Sequence, residues 1–316
     1  MNKVICEFAS FYLSTINNNF VDINTKNSMN FIAERYSLAK HGSIKDIKLF
    51  SKMIVETIFF EMGNSKSNFR ETLSIAKKDN GLIVLMTPGY RNVKSFANIM
   101  FDIALPHINI KLSTMGFPII AKLKLPRLVN PTKNYASLTF QEREDVAFIT
   151  DHILPSTNFY KGKNIHVIYG DDVLITGSSS NKAKEDSISK GAKSFTAIYS
   201  VIMDSQIALK NPKIEEKLNL SKITGNLDKT AQEIFIQNDF IPVLKSLELI
   251  LDRKNLNDLE GFIHNTPINN VLKVYVSYMT NESLKNEDYQ QSLKIIQKYL
   301  IEQKIIDIDG LLKFND

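Results

Sequence analysis

Hydrophobic positions along this chain change their period more than once. In "IKDIKLFSKMIVETIFFEM", Ile47, Phe50, Ile54 and Ile58 recur at helical spacing and predict one buried helical face. The opening "MNKVICEFASFYLSTI" is an apolar run interrupted by Glu7, and it reads as an amphipathic helix. No small-residue cleavage site follows it, which argues against a signal peptide. The first eighty residues therefore read as helical, up to the turn signal "KKDNG". "LIVLMT" (Leu82 to Thr87) is a short apolar run and predicts a buried strand, with "PGYRN" as the loop after it. "NVKSFANIMFDIAL" then puts Val93, Phe96, Ala97, Met100, Ile103 and Ala104 on one helical face, with Pro106 as the expected stop. "INIKLS" alternates and predicts a second strand.

From Gly116 to Ser137 there is no clear period. That stretch holds three prolines and four basic residues (Lys122, Lys124, Arg127, Lys133) and reads as a long loop or flap. "TFQEREDVAFITDHIL" predicts a helix, with Thr139 and Glu142 at capping-box spacing. "IHVIYG" predicts a strand, "DDVLITGSSS" a strand end and loop, and "NKAKEDSISK" a polar helix closed by Gly191. "SFTAIYSVIM" predicts one more strand. Strand, helix and strand in alternation argue for a parallel α/β sheet. Past about residue 206 the alternation ends, and "AQEIFIQNDFIPVLKSLELILD", "PINNVLKVYVSYM" and "YQQSLKIIQKYLIEQ" predict amphipathic helices. Three segments are expected: a helical part over 1–79 packing on the core, an α/β domain over 80–205 and a helical domain over 206–316.

Composition narrows the function classes. The 316 residues are 43% hydrophobic and 23% charged, enough apolar material for a sizeable core. The net charge of +5 is mild and spread out, with no dense Lys/Arg block. It suits an anionic small ligand and disfavours nucleic acid as partner. A single cysteine, Cys6, excludes an internal disulfide framework and a cysteine-based zinc site, and it fits a reducing compartment. No uninterrupted apolar run reaches membrane-spanning length. The expectation is a soluble, cytoplasmic protein. The five histidines show no metal-ligand spacing, and His166 reads as a packing residue.

The chemistry concentrates in "VIYGDDVLITGSSS". Tyr169-Gly170-Asp171-Asp172 has the letters of a polymerase metal-binding tetrad, in which two carboxylates on a hairpin turn hold divalent ions. That chemistry needs a strand returning directly after the pair, and here a Thr-Gly-Ser-Ser-Ser loop and a polar helix follow. A phosphate-binding loop accounts for the downstream residues better. A Gly/Ser/Thr loop that opens a helix offers unpaired backbone N–H groups, and the helix dipole adds positive potential. Thr176, Ser178, Ser179 and Ser180 add hydroxyl donors, and Gly177 lets backbone approach closely. The carboxylates of Asp171 and Asp172 would then accept hydrogen bonds from the vicinal hydroxyls of a sugar.

This arrangement resembles the signature of the type I phosphoribosyltransferases: an apolar strand, two acids, three mostly apolar residues, Thr-Gly, then small hydroxyl residues. The resemblance extends outward to Gly162-Lys163 before the strand, to "GAKSFTAIYSVI" after it, and to "NYASLTFQERED", which is similar to the competence-protein-F-like branch; it covers roughly 80–205. It implies an α/β fold with a parallel-sheet, Rossmann-like phosphoribosyltransferase core and helical N-terminal and C-terminal extensions. It implies that phosphoribosyl pyrophosphate or a nucleoside phosphate binds with Mg²⁺. Asp171 and Asp172 would hold the ribose hydroxyls, and Thr176, Gly177, Ser178, Ser179 and Ser180 the 5′-phosphate. Thr87, Gly89 and Arg91 would form the pyrophosphate loop, and the flap lysines would close over it. Pyrophosphate would leave as the phosphoribosyl group passes to an unidentified base or other nucleophile, a step of nucleotide metabolism.

Three departures stand against the pattern: Gly170 at a usually apolar position, Pro88 before Gly89, and a polar helix carrying Lys184, Glu185 and Asp186. They keep two alternatives open. One is a non-catalytic sensor of phosphoribosyl pyrophosphate or a nucleotide. The other is an interaction protein with a vestigial site. Acceptor, self-association and the role of the C-terminal helices are not legible at this level.

Overall fold

The computed structural model describes residues 4–125, 155–211, 213–281 and 287–313. The helix expected over 139–154 and residues 126–137 of the flap expected over 116–137, with Arg127 and Lys133, lie outside the described residues; in the flap's described part Ile120–Leu123 form a strand, not loop. The chain opens with strands β1 (Val4–Ile16) and β2 (Asn19–Asp22), followed by helices α1 (Asn30–Lys40), α2 (Ile44–Gly63) and α3 (Asn68–Lys78). Then come β3 (Leu82–Met86), α4 (Phe96–Thr114), β4 (Ile120–Leu123), α5 (Thr157–Gly162), β5 (Ile165–Leu174), α6 (Ser178–Ser189) and β6 (Ser194–Met203). Among the described residues, the α-helices that follow are α7 (Ser205–Lys210), α8 (Ile214–Asn219), α9 (Lys229–Phe235), α10 (Leu244–Leu251), α11 (Leu256–His264), α12 (Ile268–Thr280) and α13 (Gln290–Glu302).

The strands form one six-stranded sheet in the order β2-β1-β6-β5-β3-β4. Among the described residues, the β1–β2 hairpin is the one antiparallel strand pair of this sheet. Every other neighbouring pair is parallel. The mostly parallel α/β architecture read from the strand–helix alternation is therefore present. β5 and β6 read as continuous apolar runs because a parallel sheet is covered on both faces. Ile165, Val167, Ile168, Tyr169, Phe195, Ala197, Ile198 and Tyr199 are all buried. Each large apolar side chain removed from water there contributes about 1.5–3 kcal/mol.

Two expectations from periodicity are corrected. The opening segment is not a helix but the 13-residue strand β1. It runs parallel to β6 in unbroken register, from Val4 opposite Ser194 to Leu13 opposite Met203. Its Val, Ile, Phe, Tyr and Thr content suits a strand once a partner is available. Conversely, "INIKLS" is not a strand. Helix α4 continues through Pro106 to Thr114. Ile108 and Leu112, four residues apart, are buried, while Ile110 between them is 66% exposed, as a helical face requires. Asn109 then ties α4 to the next strand: its amide donates to the carbonyl of Ile120 (2.9 Å) and its oxygen accepts from the Ile120 N–H (2.8 Å).

The compact units also differ from three consecutive segments. The first unit contains the chain up to Phe31, Lys48–Tyr90 and Ala97–Glu216. The second contains Ile32–Ile47, Arg91–Phe96 and the chain from Lys217 onward. The first holds the sheet. Phe8 of β1 meets Phe69 of α3 edge to face, and Phe11 meets Phe50 of α2 in the same manner. The second is helical, with a core in which Phe235 packs against Phe240 and Phe262 and is joined by Leu247, Tyr275, Ile296 and Leu300.

Glycine at position 170 has a packing cause. A Cβ there would lie 2.5 Å from two ring carbons of Phe101 on α4, itself 1% exposed. The aromatic ring lies against the bare backbone of β5. Gly170→Ala is expected to lower stability by about 1–3 kcal/mol through overpacking. Thermal unfolding of Gly170→Ala alone and combined with Phe101→Leu checks this, since the smaller partner returns part of the loss.

In the second unit, burial holds the His41 imidazole down at about 4, and nearby Lys245 and Lys40 act in the same direction. Its Nδ1 lies 2.8 Å from the Ser37 carbonyl, where a neutral ring donates. The unfolded chain takes up this proton near pH 6.5, and the folded chain does not until about pH 4. The neutral, buried histidine therefore contributes its full stability above pH 6.5 and loses it as pH falls toward 4, on the order of 3 kcal/mol. Urea unfolding between pH 7 and 4.5 is expected to show this slope, and His41→Gln to reduce it.

Candidate functional site

The first unit's sheet reverses its winding between β3 and β5. From β3 the chain crosses through α4 to β4 on one side. From β5 it crosses through α6 to β6 on the other. The two crossover helices cover opposite faces. Gly170 backs onto Phe101 of α4. The adjacent Tyr169 shares a core with Ala183 of α6, Phe195, Ala197 and Tyr199. Neighbouring residues of a strand point to opposite faces, so α4 and α6 do as well. The loops that follow β3 and β5 thus separate at the C-terminal edge of the sheet. In open α/β sheets this reversal leaves a crevice beyond the strand ends where ligands are held.

Register puts the expected residues at that edge. β3 ends at Met86, opposite Tyr169. β5 runs on through Gly170–Leu174, paired with β6 as far as Leu174 opposite Ile202. Asp171 and Asp172 therefore lie just past the end of β3, level with the loop that begins at Thr87. The strand continues through the acid pair instead of ending before it, so its two side chains leave on opposite faces. Asp171 is half-buried on the α6 side. Its Oδ2 accepts from the Tyr169 hydroxyl at 3.3 Å, and its Oδ1 accepts from the Asp172 N–H at 2.8 Å. Asp172 is 5% exposed. The pair is followed by a helical crossover to a parallel strand, which is not the hairpin that a polymerase tetrad requires.

Beyond β5 the loop enters α6 at Gly177, whose φ of 77° is left-handed. Ser178, Ser179 and Ser180 form the first helical turn, where three backbone N–H groups have no intrahelical acceptor; the first intrahelical bond is from Asn181 N–H to the Gly177 carbonyl (2.8 Å). Thr176 Oγ1 and Ser178 Oγ lie 3.2 Å apart, and Ser180 Oγ donates to the Gly177 carbonyl at 3.1 Å. Ser179 is exposed, whereas Ser178 and Ser180 are buried. One turn on, Lys184 donates to the Asn181 side-chain oxygen at 3.0 Å. Gly191, at φ 112°, follows the last turn of α6.

At the β3 end of this edge, Thr87 is 2% exposed and Gly89 is buried. Tyr90 N–H donates to the Leu125 carbonyl (3.2 Å), and the Lys124 ammonium sits 4.7 Å from the centre of the Tyr90 ring. Lys122 is already engaged, forming an ion pair with Asp102 of α4. Arg91 falls in the second unit. The first unit contains all the other expected site residues.

Three groups at the site were not legible as motif residues. Asn98, fully buried at the start of α4, bonds to the Thr87–Pro88 loop. Tyr199 is 1% exposed, and its hydroxyl approaches Ser180 and Glu7 without reaching hydrogen-bond geometry. Burial pushes the Tyr199 phenol and the Glu7 carboxyl up, and Lys184 partly offsets the shift at Glu7. None lies within a recognisable pattern; each is brought there by pairing or packing.

No family model, curated protein or solved structure matches this chain. A functional reading therefore rests on the geometry of this edge.

Among the described residues no group of three His, Cys, Asp or Glu side chains forms a metal site. His166 does have the partners of a nucleophilic triad, with Ser194 Oγ at 2.9 Å and Asp79 Oδ2 at 3.4 Å. His166 and Ser194 are both buried and lie at the opposite, N-terminal end of β5 and β6. The trio is a packing element.

The left-handed Gly177 gives a direct test of the loop. Gly177→Ala forces an L side chain into that φ and brings its Cβ within 3.1 Å of the Asn181 amide. A loss of about 1 kcal/mol is expected, measurable as a lowered midpoint in chemical unfolding.

Proposed function

We propose that this chain binds phosphoribosyl pyrophosphate together with Mg²⁺ and transfers the phosphoribosyl group to a nucleophile, releasing pyrophosphate. One observation carries the reading. A Thr-Gly-Ser-Ser-Ser helix entrance and an Asp-Asp pair sit on β5 at the winding reversal, beside a second loop on β3. That combination offers N–H and hydroxyl donors at the β5 loop with the half-buried Asp171 carboxylate on the same face, which suits a sugar bearing a phosphate group. The 5′-phosphate would rest on the N–H and hydroxyl groups of 176–180. Asp171, on the same face as α6, would accept from a ribose hydroxyl, and the Thr87–Gly89 loop would face the pyrophosphate.

In the transfer, the bond from the anomeric carbon to pyrophosphate oxygen breaks as the acceptor's lone pair forms a new bond to that carbon. The acceptor's proton leaves. The protein's part is to position the two partners and stabilise charge on the leaving group. Among the described residues no helix is long and apolar enough to cross a membrane; a cytoplasmic setting belongs to the proposal.

A second reading, a sensor that binds the same ligand without turnover, is favoured by one feature. The two carboxylates diverge, and Asp172 is 5% exposed, so the acid pair does not converge on one sugar as a catalytic pair would. The same fold supports both roles.

Calorimetric titration of phosphoribosyl pyrophosphate with Mg²⁺ tests the shared premise. Wild type is expected to bind, and Asp171→Asn combined with Asp172→Asn to bind at least tenfold more weakly. Pyrophosphate release in the presence of candidate bases then separates enzyme from sensor. A folded wild type that binds nothing leaves an interaction protein with a vestigial site.

A further inference from the structure

We infer that Asn98 is a positioning residue that holds the Thr87–Gly89 loop in shape for a pyrophosphate group; this rests on the function proposed above. The chain must leave the sheet abruptly at Met86, and it does so through Pro88, which has no N–H with which to brace the turn. Asn98 supplies the brace from outside. Its Nδ2 donates one hydrogen bond to Thr87 Oγ1 and a second to the Pro88 carbonyl, both at 2.9 Å. Asn98 is 0% exposed and Thr87 2%. The bond to Thr87 is therefore shielded from competing water and the bond to Pro88 partly so, and an amide left unpaired there would be costly.

The brace is itself anchored. Lys122 of β4 lies 3.4 Å from the Asn98 carbonyl and also pairs with Asp102, one turn along α4. Loop, helix start and neighbouring strand form one bonded group, all within the first unit. The 176–180 loop on β5 shares none of these bonds.

A loop that is ordered before its anion arrives does not pay for ordering when it binds. Loss of the Asn98 amide is therefore expected to weaken the pyrophosphate end and spare the 5′-phosphate end. A residue needed only for overall folding would weaken both ends or neither.

The experiment titrates inorganic pyrophosphate and, separately, ribose 5-phosphate, each with Mg²⁺, into the full chain. The proteins are wild type, Asn98→Asp, Thr87→Val and Thr87→Ser, with thermal unfolding as the check on folding. Aspartate keeps the shape of Asn98 but turns its donor into an acceptor. Asn98→Asp is expected to weaken pyrophosphate about tenfold, the scale of one or two net hydrogen bonds, with ribose 5-phosphate changed less than about twofold. Thr87→Val, which removes one acceptor, is expected to weaken pyrophosphate at least threefold on the order of a single bond, and Thr87→Ser to retain affinity. If Asn98→Asp does not fold, the two Thr87 variants decide. Equal effects on both ligands, or none on either, overturn the inference while wild-type binding preserves the proposed function. A wild type that binds neither ligand overturns both.

Discussion

The side-by-side pairing of β3 with β5 is the constraint on which the candidate site depends. Chain order alone would pair β3 with its successor and continue in one direction. Here β4 takes one side of β3 and β5 the other. The crossovers therefore run over opposite faces, and two loops that are far apart in sequence open onto one edge. Buried apolar contact on both faces keeps the reversal in place. Phe101 lies against Gly170 from one side, and Ala183 with Tyr169 and Tyr199 fills the other. The departure at Gly170, an anomaly when read as part of a motif, becomes a consequence of this packing.

Polar groups at the edge are arranged around that frame. Asn98 and Lys122 fasten the β3 loop to α4 and β4. Gly177 turns the chain into α6 and leaves the N–H groups of its first turn pointing out of the helix. Asp171 is held between Tyr169 and the backbone of Asp172. Ordering groups before a ligand arrives is how a small number of hydrogen bonds produces selective binding. The second unit follows a different logic. Its helices bury an aromatic and aliphatic core, and the buried His41 ring lies on the Ser37 carbonyl.

Much of the local structure at this edge was legible in the sequence. β3, β5, α6 and β6 come from short-range signals: dense apolar runs, a Gly/Ser/Thr entrance and a terminal glycine. These signals are local, so tertiary context has little to override. The loop residues 176–180 and the acid pair were legible for the same reason. The facing of that pair was not. Adjacent acids look like one cluster in a sequence, but the strand continues to Leu174 and sends them to opposite faces. Asn98 was invisible because its partners are 10 and 11 residues away and no spacing rule links them.

Sequence was sufficient for a parallel α/β core and for the local chemistry of the Thr-Gly-Ser-Ser-Ser turn, because apolar density and glycine conformation act within a few residues. Long-range pairing settled the rest. "VICEFASFYLSTI" has apolar spacing that suits either a helix or a strand, and the open edge of β6 selects the strand. "INIKLS" alternates like a strand, yet the burial of Ile108 and Leu112 against the unit's core extends α4 through it. In both cases intrinsic preference differs by less than the few kcal/mol that burial of one or two side chains supplies. The neighbour in space, which no local window contains, makes the choice.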